Sequence, residues 1–241
     1  MAVYFSNTAP KILFLVSLAS LSIHAQAQQP SLSFVEVGYG QTDVEDLGFD
    51  DDSYTGFNVA ASFEFFDNFY LPITYYSHSA DGTSNEENSF NQITQILASS
   101  QEIALSELTI GIGYKYDISD RSILATDLSY VEVDVDVDST FSFQEIDNQT
   151  GEVLFQDSGT SSGGAGDNGL ALRSTLQTLF DSGIQVNLGL QHKVIKVESE
   201  TLDDTVGIVE LLYFVGDQYG VKFGAYIGDE NQFTVSARYA F

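Results

Sequence analysis

Ten charged residues sit at alternate positions within segments that zigzag between apolar and small polar side chains: Glu36, Glu64, Glu107, Lys115, Asp127, Arg173, Lys193, Glu210, Lys222 and Arg238. Five acids and five bases on one face are what a salt-bridged network needs, and pairing of that kind is how charges persist away from bulk water. A second set, Asp134, Asp136 and Asp138, recurs every second residue. In an extended strand these three carboxylates share one edge, and hard oxygen ligands suit Ca²⁺ or Mg²⁺. No EF-hand spacing accompanies them, and acidic runs are ordinarily solvated surface, so no metal centre is expected, with these three as the only candidates. A third set is Ser77-His78-Ser79 together with His192. With nearby acids it has the residue types of a nucleophilic His/Ser/Asp constellation. It matches no hydrolase or acyltransferase motif, and a lone His is more often a surface or interface residue. The chain is therefore read as not an enzyme, with a hydrolase or acyltransferase as the alternative. No phosphate loop and no zinc spacing is present, and no cofactor is expected.

Composition narrows the classes further. The 241 residues include 8 Lys and Arg against 35 Asp and Glu, a formal charge of −27. Nucleic-acid binding demands a basic face and is excluded as an expectation. There is no Cys, hence no disulfide framework and no thiolate metal site. The 13 Tyr and 18 Phe give the chain enough large apolar surface to order itself despite its charge.

The elements that must position these residues begin after a leader. Lys11 precedes the apolar run Ile12–Ile23, and His24-Ala25-Gln26-Ala27 follows it. A positive start, a short apolar stretch and an A-x-A site make the pattern of a secretory signal peptide. Residues 1–27 are read as cleaved after Ala27, leaving 28–241 as one domain.

From Pro30 onward the period is two. Phe233, Val235, Ala237, Tyr239 and Phe241 alternate with Thr234, Ser236, Arg238 and Ala240, and Val221, Phe223, Ala225 and Ile227 alternate with Gly220, Lys222, Gly224 and Tyr226. The same zigzag runs from Thr55 to Phe65, Thr109 to Tyr116, Leu170 to Phe180 and Ile184 to Gln191. In a strand that pattern separates an apolar from a polar face. Strands are expected near 31–41, 54–66, 69–79, 103–116, 122–131, 168–180, 184–197, 205–215, 219–228 and 232–241. Short turns alternate with longer acidic connections at 42–53, 80–102, 132–167 and 198–204. Ten strands is the expectation, with eight as the alternative if segments merge across Gly216–Gln218 or Gly228–Asn231. The Ser/Gly run 158–169 reads as a flexible loop. Phe90, Ile93, Ile96 and Leu97 read either as a short amphipathic loop helix or as a continuation of the flanking strands.

With its leader, its strand pattern and its ending Phe233-Thr-Val-Ser-Ala-Arg-Tyr-Ala-Phe241, the chain resembles small bacterial outer-membrane β-barrel proteins, the broad outer-membrane beta-barrel and porin-like group. The resemblance implies a closed antiparallel transmembrane β-barrel in the outer membrane of a Gram-negative cell. It also implies that Phe233, Val235, Ala237, Tyr239 and Phe241 are the signal read by the barrel-assembly machinery. Aromatics gathered toward strand ends fit the girdles of such barrels, although Trp is absent.

In a barrel, a charge on the lipid face costs about 2–4 kcal/mol at the midplane, so the ten strand charges are expected to point inward as a side-chain plug of the lumen. The expected role is structural or interaction-type, with acidic outer loops, outer-membrane lipid as surroundings and divalent cations at the loops as an open possibility. A narrow porin or small-solute channel is the alternative.

Overall fold

The computed structural model describes residues 29–43, 53–66, 68–197, 200–229 and 231–241. The leader and its cut after Ala27, and the triplet Asp50–Asp52, lie outside the described residues.

Ten strands follow one another: β1 (Phe34–Asp43), β2 (Ser53–Phe65), β3 (Phe69–Phe90), β4 (Ile93–Ser119), β5 (Ser122–Asp147), β6 (Val153–Leu179), β7 (Ile184–Val197), β8 (Glu200–Val215), β9 (Tyr219–Ile227) and β10 (Asn231–Ala240). Each pairs antiparallel with its sequence neighbours, and β10 returns to β1 to close the ring. The eight-strand alternative fails at Gly216. Its φ of 76° turns the chain between β8 and β9, a backbone region that Gly enters without penalty.

The alternation sorts the two faces as the sequence dictates. On β10, Thr234, Ser236, Arg238 and Ala240 are buried inward, while Phe233 and Val235 stand outward. A two-layer sandwich would bury Phe57, Phe223 and Val235 against one another; they are instead 49%, 50% and 51% exposed on the outside of the ring. So wide an apolar exterior is stable only against hydrocarbon. Near the short-turn end, Phe63 meets Phe241, Phe69 meets Tyr114 and Tyr219 meets Tyr239, with centroids 5.2–5.8 Å apart. These rings form an interfacial girdle without Trp.

The chain ahead of β1 turns into this end of the barrel. Leu32 is buried against Tyr70, Ile123 and Ala125. Its N–H donates to Glu64 Oε1 at 2.8 Å, and the Phe241 N–H donates to the Ser33 carbonyl at 3.0 Å.

The connections 80–102 and 132–167 are the main departure from expectation. They are not loops: β3 to β6 continue as strands of 22, 27, 26 and 27 residues. A membrane strand needs about 9–11 residues, so this four-stranded sheet projects well beyond the barrel. Phe90, Ile93, Ile96 and Leu97 lie on the strand continuation rather than on a helix. Asn91, at φ 56°, makes the tight turn that pairs Phe90 with Ile93. The Ser/Gly run 158–169 is likewise not a loop but part of β6, paired residue by residue with β5. The ladder needs only backbone groups, and Gly164 and Gly166 leave room for the Asp136 and Asp134 carboxylates to lie over them. At the outer tip, Asp147 Oδ1 accepts the Gln149 and Thr150 N–H groups at 2.7 and 3.1 Å, and these donors hold its carboxyl below the usual carboxylate range.

Where β2 crosses β3 the backbones approach closely. A Cβ on Gly56 would strike the Ser77 carbonyl oxygen and the His78 Cα, neither of which can swing away. Gly56→Ala is expected to destabilise the barrel by roughly 1–3 kcal/mol. Urea unfolding, followed by the gel shift between folded and unfolded forms, would measure it.

Candidate functional site: the charged lumen and the projecting sheet

All ten strand charges singled out in the sequence point into the lumen, because each falls on the polar face of its zigzag. Register sets one of the pairs directly. Glu36 and Arg238 stand directly opposite across the β1–β10 seam. Arg238 Nε and Nη2 both donate to Glu36 Oε2, at 2.8 and 2.7 Å, and the guanidinium lies 3.8 Å over the Phe34 ring. Lys222 on β9 reaches Glu36 Oε1 at 2.5 Å and Glu210 Oε1 on β8 at 3.3 Å. Glu210 also accepts from the Tyr226 hydroxyl and from Asn187 Nδ2, both at 2.7 Å. Gln185 then links Asn187 to Gln177. A continuous polar cross-section therefore runs from β1 through β10, β9, β8 and β7 to β6.

Two further pairs lie above and below it. Lys115 holds Glu64 at 3.1 Å near the short-turn end, and Lys193 holds Glu107 at 2.6 Å toward the outer end. The expected five-against-five pairing is incomplete. Asp127 and Arg173 face each other in register, but Asp127 takes the Tyr70 hydroxyl at 2.9 Å and Ser129 Oγ at 3.0 Å. Among the described residues Arg173 has no carboxylate within ion-pair distance, and its side chain lines the lumen cavity.

The inward tyrosines Tyr70 and Tyr76 and the plug residue Leu32 were not legible as lumen residues. On β3 both faces are aromatic or bulky, with Phe69, Leu71, Ile73 and Tyr75 alternating against Tyr70, Pro72, Thr74 and Tyr76. Polarity therefore gives no sign of which set turns inward.

The catalytic candidates are separated. His78 points into the lumen and is 3% exposed, so its sequence neighbours Ser77 and Ser79 occupy the opposite face of β3. His192 lies on the outer face of β7, where Nδ1 is 2.9 Å from Thr205 Oγ1. No Ser/His/Asp geometry forms from these residues.

The acidic candidates lie on the projecting sheet. Asp134, Asp136 and Asp138 stand exposed on the outward face of β5, opposite Gly166, Gly164 and Ser162 of β6. Among the described residues no group of three His, Asp or Glu side chains converges as metal ligands do. Every charged residue in 80–102 and 132–168 is a carboxylate. The face that continues the lumen wall carries Leu97, Phe141, Phe143 and Phe155, with Phe143 and Phe155 6.0 Å apart. Both flanks of the sheet are unpaired among the described residues: the β2–β3 register ends at Thr55↔Ser79, and the β6–β7 register begins at Asn168↔Lys196.

A closed antiparallel ring, apolar outside and polar inside, with short turns at one end and long hairpins at the other, decides the class. It is a closed transmembrane β-barrel of the outer-membrane architecture. The terminal set Phe233, Val235, Ala237, Tyr239 and Phe241 lies on the outer face of this barrel, toward lipid. No protein-family model matches the chain, and no curated protein matches it. Solved structures similar in architecture include the attachment invasion locus protein Ail of Yersinia pestis, at 13% identity over 86% of this chain and 97% of that one, with a TM-score of 0.39. The KdgM porin in complex with disordered oligogalacturonate covers 86% and 99% at 13% identity, with a TM-score of 0.42. The outer membrane protease OmpT from Escherichia coli covers 90% and 100% at 9% identity, with a TM-score of 0.44. At such identities and scores, what those proteins do does not carry over to this barrel.

The seam gives a sharp test. Removing Arg238 leaves the Glu36 carboxylate at the closing seam with Lys222 as its remaining base, and breaking a buried pair costs about 3–5 kcal/mol. Arg238→Ala is expected to lower the urea midpoint strongly. The double change Arg238→Met with Glu36→Gln is expected to recover most of that loss, because no charge is stranded. Equal midpoints for the single and double variants would contradict the network.

Proposed function

We propose that this barrel works as a display scaffold: a membrane anchor with a side-chain-filled lumen, holding an acidic, edge-exposed sheet outside the cell to bind basic segments of partner proteins. The observation that carries the reading is the sheet itself. Four strands continue past the membrane in register, with both edges open among the described residues, exposed apolar side chains and no base to balance their carboxylates. Open edges accept a further strand through backbone hydrogen bonds. Apolar side chains on one face supply contact area, and the uncompensated negative charge selects a Lys- or Arg-bearing partner and speeds its approach. The lumen supports the same reading. Its polar cross-section spans β1, β10, β9, β8, β7 and β6, and Leu32 fills the short-turn end, which leaves little continuous path for solute. The terminal set ending in Phe241 serves as the docking signal for the barrel-assembly machinery in this reading.

Two measurements test it. In planar bilayers the unaltered barrel is expected to be nearly silent, while replacing Glu36, Glu210, Lys222 and Arg238 together by Ser is expected to raise conductance. Porin-like currents from the unaltered chain would favour the small-solute channel instead. For the sheet, the probe is a synthetic alternating Lys/Val peptide added to the full-length barrel in nanodiscs, with an alternating Glu/Val peptide as control. Binding is expected for the basic peptide alone, weakening as salt rises through the physiological range where the Debye length is about 8 Å. It is expected to vanish in a variant lacking 84–99 and 141–159, whose ends fall on one cross-strand row. Binding that survives this trimming would sink the reading.

A further inference from the structure

The outer end of the lumen holds a cavity that neither the seam network nor the projecting sheet uses. His78, Thr42, Glu107, Lys193, Asp204 and Tyr226 are among the residues that line it. The His78 ring occupies space left by two glycines: a Cβ at Gly56 would strike its Cδ2, and one at Gly40 would come within 3.3 Å of its Nε2. Its Nδ1 lies 3.2 Å from Thr42 Oγ1, and among the described residues its buried Nε2 has no hydrogen-bond partner. β8 stands across the ring from β3, and there the buried Asp204 Oδ1 also has no partner among the described residues. Buried polar atoms are ordinarily paired, so two orphans lining one cavity point to a missing third party.

The chemistry of that party follows from what is still free. Lys193 is held by Glu107 at 2.6 Å, and the Tyr226 hydroxyl is given to Glu210 at 2.7 Å. Asp204 Oδ1 can only accept. The Nδ1 contact to Thr42 Oγ1 fits either tautomer; in the one that carries its proton on Nδ1 and donates it to the hydroxyl, His78 Nε2 accepts as well. Two acceptors call for a ligand rich in donors. Glu107 and Asp204 against Lys193 leave the cavity one negative charge in excess, and the acidic strands above it concentrate cations at its mouth. The Glu36, Lys222 and Glu210 network lies beneath, so the cavity is a vestibule entered from outside.

We propose that this vestibule binds a small organic ammonium ion, its N–H groups donated to Asp204 Oδ1 and His78 Nε2. The proposal is independent of partner binding by the projecting sheet, and it is read without conductance, so the two can fail separately.

The test is a titration of the full-length barrel in nanodiscs, labelled with ¹⁵N-histidine, using methylammonium chloride as the probe. His192, on the outer face, is the internal reference. A saturable shift of the His78 ring signal with His192 unmoved is expected. Sodium acetate and magnesium chloride at matched ionic strength are expected to leave His78 where it is. Asp204→Asn, which removes the charge and keeps the shape, is expected to weaken methylammonium binding by at least roughly tenfold, as befits loss of a charge-assisted hydrogen bond. No shift at His78, equal shifts at both histidines, or unchanged affinity in Asp204→Asn would overturn the proposal. So would a response to acetate or magnesium in place of methylammonium. The comparison of salts on the unaltered chain decides the matter even if the variant does not fold.

Discussion

A strand whose outer face lies in hydrocarbon has nowhere to put an unpaired backbone group, because lipid offers no hydrogen bond in return. Every strand of the barrel wall must therefore have two neighbours, and the first must meet the last. In this chain that obligation falls on β1 and β10, about two hundred residues apart in sequence and joined by a register in which Glu36 faces Arg238. The ladder between them is ordinary backbone pairing. The buried carboxylate and guanidinium help to hold its register together with the apolar alternation, since a slip of one residue in either strand would turn that strand's charge toward lipid. Lys222 and Glu210 extend that constraint to β9 and β8, so closure and filling of the lumen are one event.

Much of this was legible from period two alone. The bounds of β1, β2 and β7 to β10 fall within a few residues of their expected positions, and the inward orientation of all ten strand charges followed from the cost of a charge in lipid. The pairing partners did not follow. Which acid meets which base depends on the stagger between strands, and sequence carries little of that. Asp127 shows the limit: its register partner is Arg173, yet it is satisfied by Tyr70 and Ser129 instead.

The outer halves of β3 to β6 were illegible for a different reason. Segments such as Ser158–Gly169 lack the apolar alternation that marks a half-buried strand, since both faces of that sheet meet water. Their strand character comes from neighbours: β5 supplies the ladder and β4 extends it. The Val133, Val135 and Val137 alternation with Asp134, Asp136 and Asp138 was the visible trace, and it reads equally well as an acidic run. His78 was conspicuous by type, but its role depended on which face of β3 turns inward.

The two long hairpins have a bearing on how the protein can change. Each turns over at its tip, through Asn91 in one case and around Gly151 in the other. Residues gained or lost there add or remove whole rungs without rotating anything beneath. The height of the exterior sheet is thus free to drift between relatives while the vestibule and the closing seam stay as they are. A lone residue inserted midway, within Gly163–Gly166 for instance, would need a bulge to absorb it or would reverse the facing of everything on one side of it. Length variation in this molecule should accordingly gather at the two apices, and the wall below them should tolerate almost none.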